Sequence, residues 1–183
     1  MHYDGQKWEH QYSGTKEDLY MVRGIYDPEI GRERVWVCGD HTLLYNEGHG
    51  WKTVWSREKP LFEEYYTPRG IYLPNHKKII VAANGYYGSC LLMLDQKNIK
   101  NYYLLSKTKI YINSMAANGI NDIFIVGNYN KIEHYNGIKC KLYTKIIADG
   151  WWNSIRIKSN KVYIVGETSS SIYKALFIYG ERK

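Results

Sequence analysis

The stretch Val35–Trp51, VWVCGDHTLLYNEGHGW, contains the unit from which most of the chain is built. It begins with an apolar, β-branched and aromatic run of the kind that favours a β-strand. Gly39 and Asp40 follow, a small and a polar residue that favour a turn. A second apolar run, Leu43–Tyr45, leads to a polar, glycine-containing turn and Trp51. This order predicts short antiparallel strands joined by tight turns.

The apolar run with its small and polar ending occurs four times in the chain. The copies begin at residues 35, 79, 123 and 162, at intervals of 44, 44 and 39 residues. Their sequences are VWVCGD, IIVAAN, IFIVGN and VYIVGE. A period near 40 residues indicates a repeat architecture.

Two further motifs accompany each copy. The motif before it reads VRGIY, PRGIY, NSMAA and NSIRI. The motif after it reads LLYNEGHGW, LMLDQKNI, IEHYNGIKC and ALFIYGER, and the chain start HYDGQKW is a fifth copy of this one. Each unit therefore consists of short strands, named A to D in chain order. Units of this length and composition predict an all-β fold, a β-propeller of about four four-stranded blades.

We expect a single domain over residues 1–183, with blade units at 17–58, 62–106 and 108–148. The last blade combines residues 150–183 with 1–12, and Trp8–Tyr12 supplies its outermost strand. Closure of this kind removes the exposed edges of the sheets. The alternative is a partial propeller that is completed when two copies of the chain associate as a homodimer.

Composition narrows the possible functions. The formal charge of +7 is spread over the whole length, which does not favour a nucleic-acid partner. No apolar run approaches the roughly 20 residues of a membrane-spanning helix, and no secretory signal is evident. The three cysteines are widely separated, so we expect no metal site and no cofactor.

The combination of VWVCGD or IFIVGN, then HYDG or HYNG, then Trp resembles the repeats of bacterial β-propeller proteins. Many of those proteins are secreted or associated with the cell envelope, and most are uncharacterised. The resemblance covers nearly the full length and implies the same fold and a secreted or envelope-associated location. The second unit departs from it, because LMLDQKN replaces the His-Tyr-Asp-Gly motif.

Antiparallel topology brings the start of each A strand and the end of each B strand to one face, at the mouth of the central channel. Arg23 and Arg69 are interpreted as equivalent A-strand positions, with Ser114 and Ser154 in the other two units. Paired arginines bind a carboxylate, sulfate or phosphate in forked geometry. The predicted channel-mouth residues are Arg23, Arg69, Asp40, His41, Asn84, Asn128 and Glu167.

Tyr86, Tyr87 and Trp151 form a second candidate site, because exposed rings of this kind stack on sugars. The favoured interpretation is a non-enzymatic recognition module, carbohydrate-binding in the manner of a lectin. One alternative is a hydrolase or lyase acting on glycans at the channel mouth, with Asp40, Asp149 and Glu167 as its acids. A scaffold for protein–protein interaction is the third possibility.

Overall fold

The fold consists entirely of antiparallel β-sheets in the part of the chain that the structure describes. The computed structural model describes residues 1–60, 66–143, 150–169 and 174–181. Strands β1 to β17 within these ranges form five sheets, and no helix occurs among them. The prediction of an all-β chain with repeated antiparallel sheets is therefore confirmed.

Four of the sheets follow one another along the chain, and each has its strands side by side in chain order. The first sheet contains β3 (Leu19–Asp27), β4 (Arg32–Gly39), β5 (Thr42–Asn46) and β6 (Trp51–Trp55). The second contains β7 (Thr67–Asn75), β8 (Lys78–Gly85), β9 (Gly88–Asp95) and β10 (Tyr102–Thr108). The third contains β11 (Ile112–Gly119), β12 (Asp122–Gly127), β13 (Ile132–Tyr135) and β14 (Cys140–Tyr143). The fourth contains β15 (Gly150–Lys158), β16 (Lys161–Thr168) and β17 (Ala175–Glu181).

Successive sheets pack face to face through apolar clusters. Trp36 is fully buried between the first and second sheets, where its ring stacks on Tyr45 with centroids 5.2 Å apart. Its indole Nε1 donates a hydrogen bond of 3.0 Å to the side chain of Gln96, which belongs to the second sheet's connection. Met115 is buried between the second and third sheets, and Trp152 between the third and fourth. The first strands of neighbouring sheets, β3, β7, β11 and β15, contact one another in that order.

The N-terminal segment does not complete the fourth sheet. Strand β1 (His2–Tyr3) pairs with β2 (Trp8–Glu9) to form a separate two-stranded hairpin. Asp4 accepts hydrogen bonds of 2.8 Å from the backbone N–H groups of residues 6 and 7, and Gly5 has a positive φ of 102°. This local turn closes the hairpin over a few residues, at a lower entropic cost than pairing with a distant strand.

The prediction that Trp8–Tyr12 closes the last blade is therefore wrong for this structure. Trp8 is 65% exposed, and the fourth sheet has three strands among the described residues. The main contacts between sheets join the first to the second, the second to the third and the third to the fourth. Within the described ranges, the fourth sheet makes no contact of comparable extent with the first sheet. The described sheets therefore form an open row and not a closed ring.

Candidate functional site

The first strands of all four sheets border one cavity of about 400 Å³. Every residue that lines it lies on β3, β7, β11 or β15. The lining consists of Tyr20, Met21, Val22, Arg23, Arg69, Asn113, Ser114, Asn153, Ser154 and Arg156. We call this space the central cavity.

A β-bulge occurs at the same place in each of these four strands. The register shifts lie between Leu19 and Met21, Pro68 and Gly70, Ile112 and Ser114, and Trp152 and Ser154. A bulge adds one residue to a strand and re-aims its side chain. The added residues are polar and all four line the cavity; we call this set the bulge ring, which consists of Tyr20, Arg69, Asn113 and Asn153.

The register corrects the predicted equivalence of the arginines. Arg23 lies opposite Trp36, and Arg156 lies opposite Tyr163 at the corresponding place in the fourth sheet. Arg69 is instead the bulged residue of its strand. The counterpart of Arg23 is therefore Arg156, which the motif alignment missed because the bulge shifts the residue count. The sequence does contain a signal for this equivalence, because an apolar residue directly precedes the arginine in both the first A strand (Val22-Arg23) and the last (Ile155-Arg156).

Arg69 is held by residues of the neighbouring sheets. Its Nη2 atom lies 3.5 Å from the carboxylate of Asp40, and its guanidinium lies 4.4 Å from the ring centroid of Tyr20. Burial by itself lowers the pKa of Arg69, but hydrogen bonds with the hydroxyls of Tyr111 and Tyr20 give a net rise. Burial also raises the pKa of Tyr20, as does its hydrogen bond with Asp40. Asp40, predicted to bind a ligand, is thus the partner of Arg69.

Arg23 and Arg156 also line the central cavity. Each donates a hydrogen bond of 2.8 Å from Nη1 to the carbonyl oxygen of the preceding residue. Burial lowers the pKa of Arg23, and the nearby charge of Arg156 lowers it further. Like charges therefore face the same space from the first and the fourth sheet.

Asn84 and Asn128 connect neighbouring sheets. Asn84 is 4% exposed; its Nδ2 donates to the carbonyl oxygen of Ile112 and its Oδ1 accepts from the N–H of the same residue, both at 2.8 Å. Asn128 pairs with Trp151 across the third and fourth sheets, and its Oδ1 accepts a hydrogen bond of 3.2 Å from Asn113. The side chains predicted to bind a ligand at these two positions thus bond to the protein itself.

His41 and Glu167 also reach protein partners. Nδ1 of His41 lies 3.4 Å from the hydroxyl of Thr67, at the start of the next sheet. Glu167 accepts a hydrogen bond of 3.4 Å from Asn153. Asp40 and His41, adjacent in the chain, therefore turn to different partners and do not form an acid–base pair. Asp149, the third proposed acid, lies outside the described residues.

The predicted sugar-stacking residues differ in exposure. Tyr86 and Tyr87 occupy the two-residue turn between β8 and β9, with 86% and 82% of their surface exposed. Their rings meet edge to face, with centroids 5.0 Å apart and an interplanar angle of 84°. Trp151 is half-buried within β15, where it pairs with Glu167.

Exposed tyrosines collect at the end of the sheets where the A strands begin. Contacts at this end join the first sheet to the second (Arg69 with Asp40), the second to the third (Asn84 with Ile112) and the third to the fourth (Asn128 with Trp151), so the four strand starts lie at the same end. Tyr20 and Tyr111 stand at the starts of β3 and β11, with 44% and 49% of their surface exposed. Tyr129, in the turn after β12, is 74% exposed. We call this end, with Tyr20, Tyr86, Tyr87, Tyr111 and Tyr129, the tyrosine face.

Within the described ranges, no group of three or more His, Cys, Asp or Glu side chains is arranged to hold a metal ion. The same part of the chain contains no helix of the length and apolarity needed to cross a membrane. Cys38 and Cys90 are buried cysteines.

Comparison with known proteins informs the fold. No family model matches the chain, and no curated protein matches it. Among solved structures, the chain is similar to a mutant of puromycin hydrolase complexed with PGG, with a TM-score of 0.53 and 12% sequence identity. The match covers 86% of this chain and 27% of that one, so the chain spans about a quarter of the enzyme's length. At this identity the likeness concerns the fold alone.

Proposed function

We propose that the protein is a non-enzymatic recognition module that binds a carbohydrate at the tyrosine face, over the mouth of the central cavity. Its scaffold is a propeller-like arrangement of four sheets around that cavity. The arrangement is supported by the contribution of all four first strands to the cavity lining and by the bulge that they share.

The observation that carries the proposal is the exposure of the tyrosine face beside a polar cavity. Tyrosine offers a flat apolar ring for the face of a pyranose and a hydroxyl for hydrogen bonding. Tyr86 and Tyr87 lie in a tight turn between two paired strands, so the scaffold presents them with little freedom to collapse onto the core. Binding residues of rigid β-scaffolds commonly lie on such turns.

The carboxylates give less support to a glycan hydrolase or lyase. A pair of acids that cleaves a glycosidic bond must converge on one point of the substrate. Among the described residues, Asp40 is paired with Arg69 and Glu167 accepts from Asn153. Two acids that project together into the central cavity are absent from the described lining.

A glycan array followed by calorimetry of each hit tests the proposal. We expect at least one glycan to bind, and Tyr86→Ala and Tyr87→Ala to weaken its affinity about fivefold to tenfold each, since one aromatic contact contributes about 1 kcal/mol. Tyr26→Ala is the matched control, because Tyr26 is 58% exposed at the opposite end of β3. A complete lack of glycan binding, or equal losses in all three variants, would reject the carbohydrate assignment.

A further inference from the structure

We propose that Arg23 and Arg156 together bind an anionic group of the ligand, a carboxylate, sulfate or phosphate, inside the central cavity. The inference rests on the proposed function, and it specifies that the carbohydrate is acidic. The tyrosine face then contacts the sugar rings, and the anionic substituent points inward between the two guanidinium groups.

The first support is the matched position of the two arginines. They occupy corresponding places on β3 and β15, three residues beyond the bulged residues Tyr20 and Asn153. Both side chains line the same cavity of about 400 Å³. Because β3 and β15 belong to the first and the last sheet, their guanidinium groups approach from two separate walls.

The second support is the lack of a counter-charge. Elsewhere the chain pairs its buried arginine directly: Arg34, with 8% of its side chain exposed, lies 2.9 Å from the carboxylate of Asp27. Arg69 likewise has Asp40. Neither Arg23 nor Arg156 forms an ion pair with any acid in the described ranges. Each uses one N–H group for the carbonyl of the preceding residue, so most of its five donors stay available.

The third support is the electrostatic balance of the cavity. Burial is the larger cause of the lowered pKa of Arg23, and the charge of Arg156 in the same partly buried space lowers that pKa further, as expected for two like charges that repel each other. An anion between them replaces repulsion with two charge-assisted contacts. Hydroxyl groups of Ser114 and Ser154, which line the same cavity, complete a polar wall suited to oxygen ligands.

The anion site is tested by measuring sulfate and sugar binding at constant ionic strength, in variants of the cavity arginines and in a control variant of a surface arginine. The proteins are the wild-type chain, Arg23→Gln, Arg156→Gln and, as a control, Arg57→Gln, whose side chain is 61% exposed outside the cavity. The probes are sodium sulfate, glucuronic acid and glucose, with affinity from calorimetry and melting temperature from calorimetric scans. We expect the wild-type and control chains to bind sulfate and glucuronic acid, and each cavity variant to bind them about 10- to 100-fold more weakly.

The melting temperature without an anion separates binding from a structural role. Removing one of two repelling charges should leave the melting temperature of Arg156→Gln equal to the wild type or higher, while its rise with sulfate is lost. Arg23→Lys and Arg156→Lys keep the positive charge but lose the forked pair of N–H donors, so they should bind the anion with intermediate affinity. If a glutamine variant does not fold, the lysine variant at the same position replaces it in the test.

The outcomes also separate this inference from the proposed function. Sulfate binding that depends on Arg23 and Arg156, without binding of any glycan, would retain the anion site and remove the carbohydrate assignment. Binding of glucose as tight as that of glucuronic acid, unchanged in the arginine variants, would overturn the anion site and retain the carbohydrate assignment. No stabilisation of the wild-type chain by sulfate or glucuronic acid would also overturn the anion site.

Discussion

At the scale of single residues, Asn84 shows how a polar side chain at a strand end can serve the fold. The sequence places it among the candidate ligand-binding groups, since it follows an apolar run at the predicted channel mouth. In the structure its amide bonds to both backbone groups of Ile112 and accepts a hydrogen bond of 2.7 Å from Ser89. Periodicity cannot reveal this role, because it depends on which backbone groups of the next sheet come within reach.

The substitution Asn84→Ala should destabilise the protein by about 2–4 kcal/mol, because it leaves the buried N–H and C=O groups of Ile112 without a partner. Urea unfolding measures the change. Asn101→Ala is the control, since Asn101 is exposed and should show a change below about 0.5 kcal/mol. Equal effects of the two substitutions would contradict the proposed link between the sheets.

At the scale of strands, the small residue that precedes the polar residue at the end of a B strand has a steric role. In the first sheet, the N–H of Asp40 donates to the carbonyl oxygen of Asp18 at 2.9 Å; in the third, the N–H of Asn128 donates to that of Tyr111 at 3.2 Å. The residue before each donor is a glycine, and a Cβ atom there would overlap the same carbonyl oxygen. The small residue lets the end of one strand approach the start of its neighbour.

We therefore expect Gly127→Ala to cost about 1–3 kcal/mol of stability, the usual effect of overpacking against atoms that cannot move aside. Thermal or urea unfolding of the purified variant measures it. Gly180→Ala, in β17, is the matched control, because a Cβ at Gly180 meets no atom within 4 Å. A neutral Gly127→Ala variant would show that the two strand ends separate readily in solution.

The bulges mark the limit of what pattern reading predicts at this scale. Repeated motifs correctly predicted the all-β class and the succession of antiparallel sheets. They also predicted that A-strand starts and B-strand ends share a face. The bulged residues, however, are a tyrosine, an arginine and two asparagines, so no single residue type marks the position in all four strands. An alignment by motif alone therefore misplaced Arg69 and overlooked Arg156.

At the scale of the whole molecule, the N-terminal hairpin is separate from the core. Residues 1–12 are all exposed, and the hairpin's own Tyr3 and Trp8 rings contact each other with centroids 5.3 Å apart. The sequence predicted closure because HYDGQKW matches the outer strands of the other units. The same turn chemistry that creates this match also lets the segment form a hairpin by itself.

Deletion of residues 2–11 should consequently change the free energy of unfolding by less than about 0.5 kcal/mol. Urea unfolding tests this, with Trp55→Ala as the sensitive control: Trp55 is 1% exposed, and its truncation should cost about 3–5 kcal/mol. A large loss on deletion would mean that the hairpin supports the sheets in solution. The native mass of the undeleted protein shows whether it is a monomer or a homodimer. A homodimer is the result expected if two copies of the chain complete one propeller.

Among the described residues, no strand pairs with the outer edge of β17, and this has a consequence for how the protein behaves at high concentration. Its backbone can accept a strand from any neighbouring molecule, and Phe177 and Tyr179 stand 61% and 63% exposed along it. Charged residues flank this run, with Lys174 before it and Glu181 at its end. Such residues act as gatekeepers against fibril growth. Neutralising either charge should weaken this local barrier to edge-to-edge aggregation.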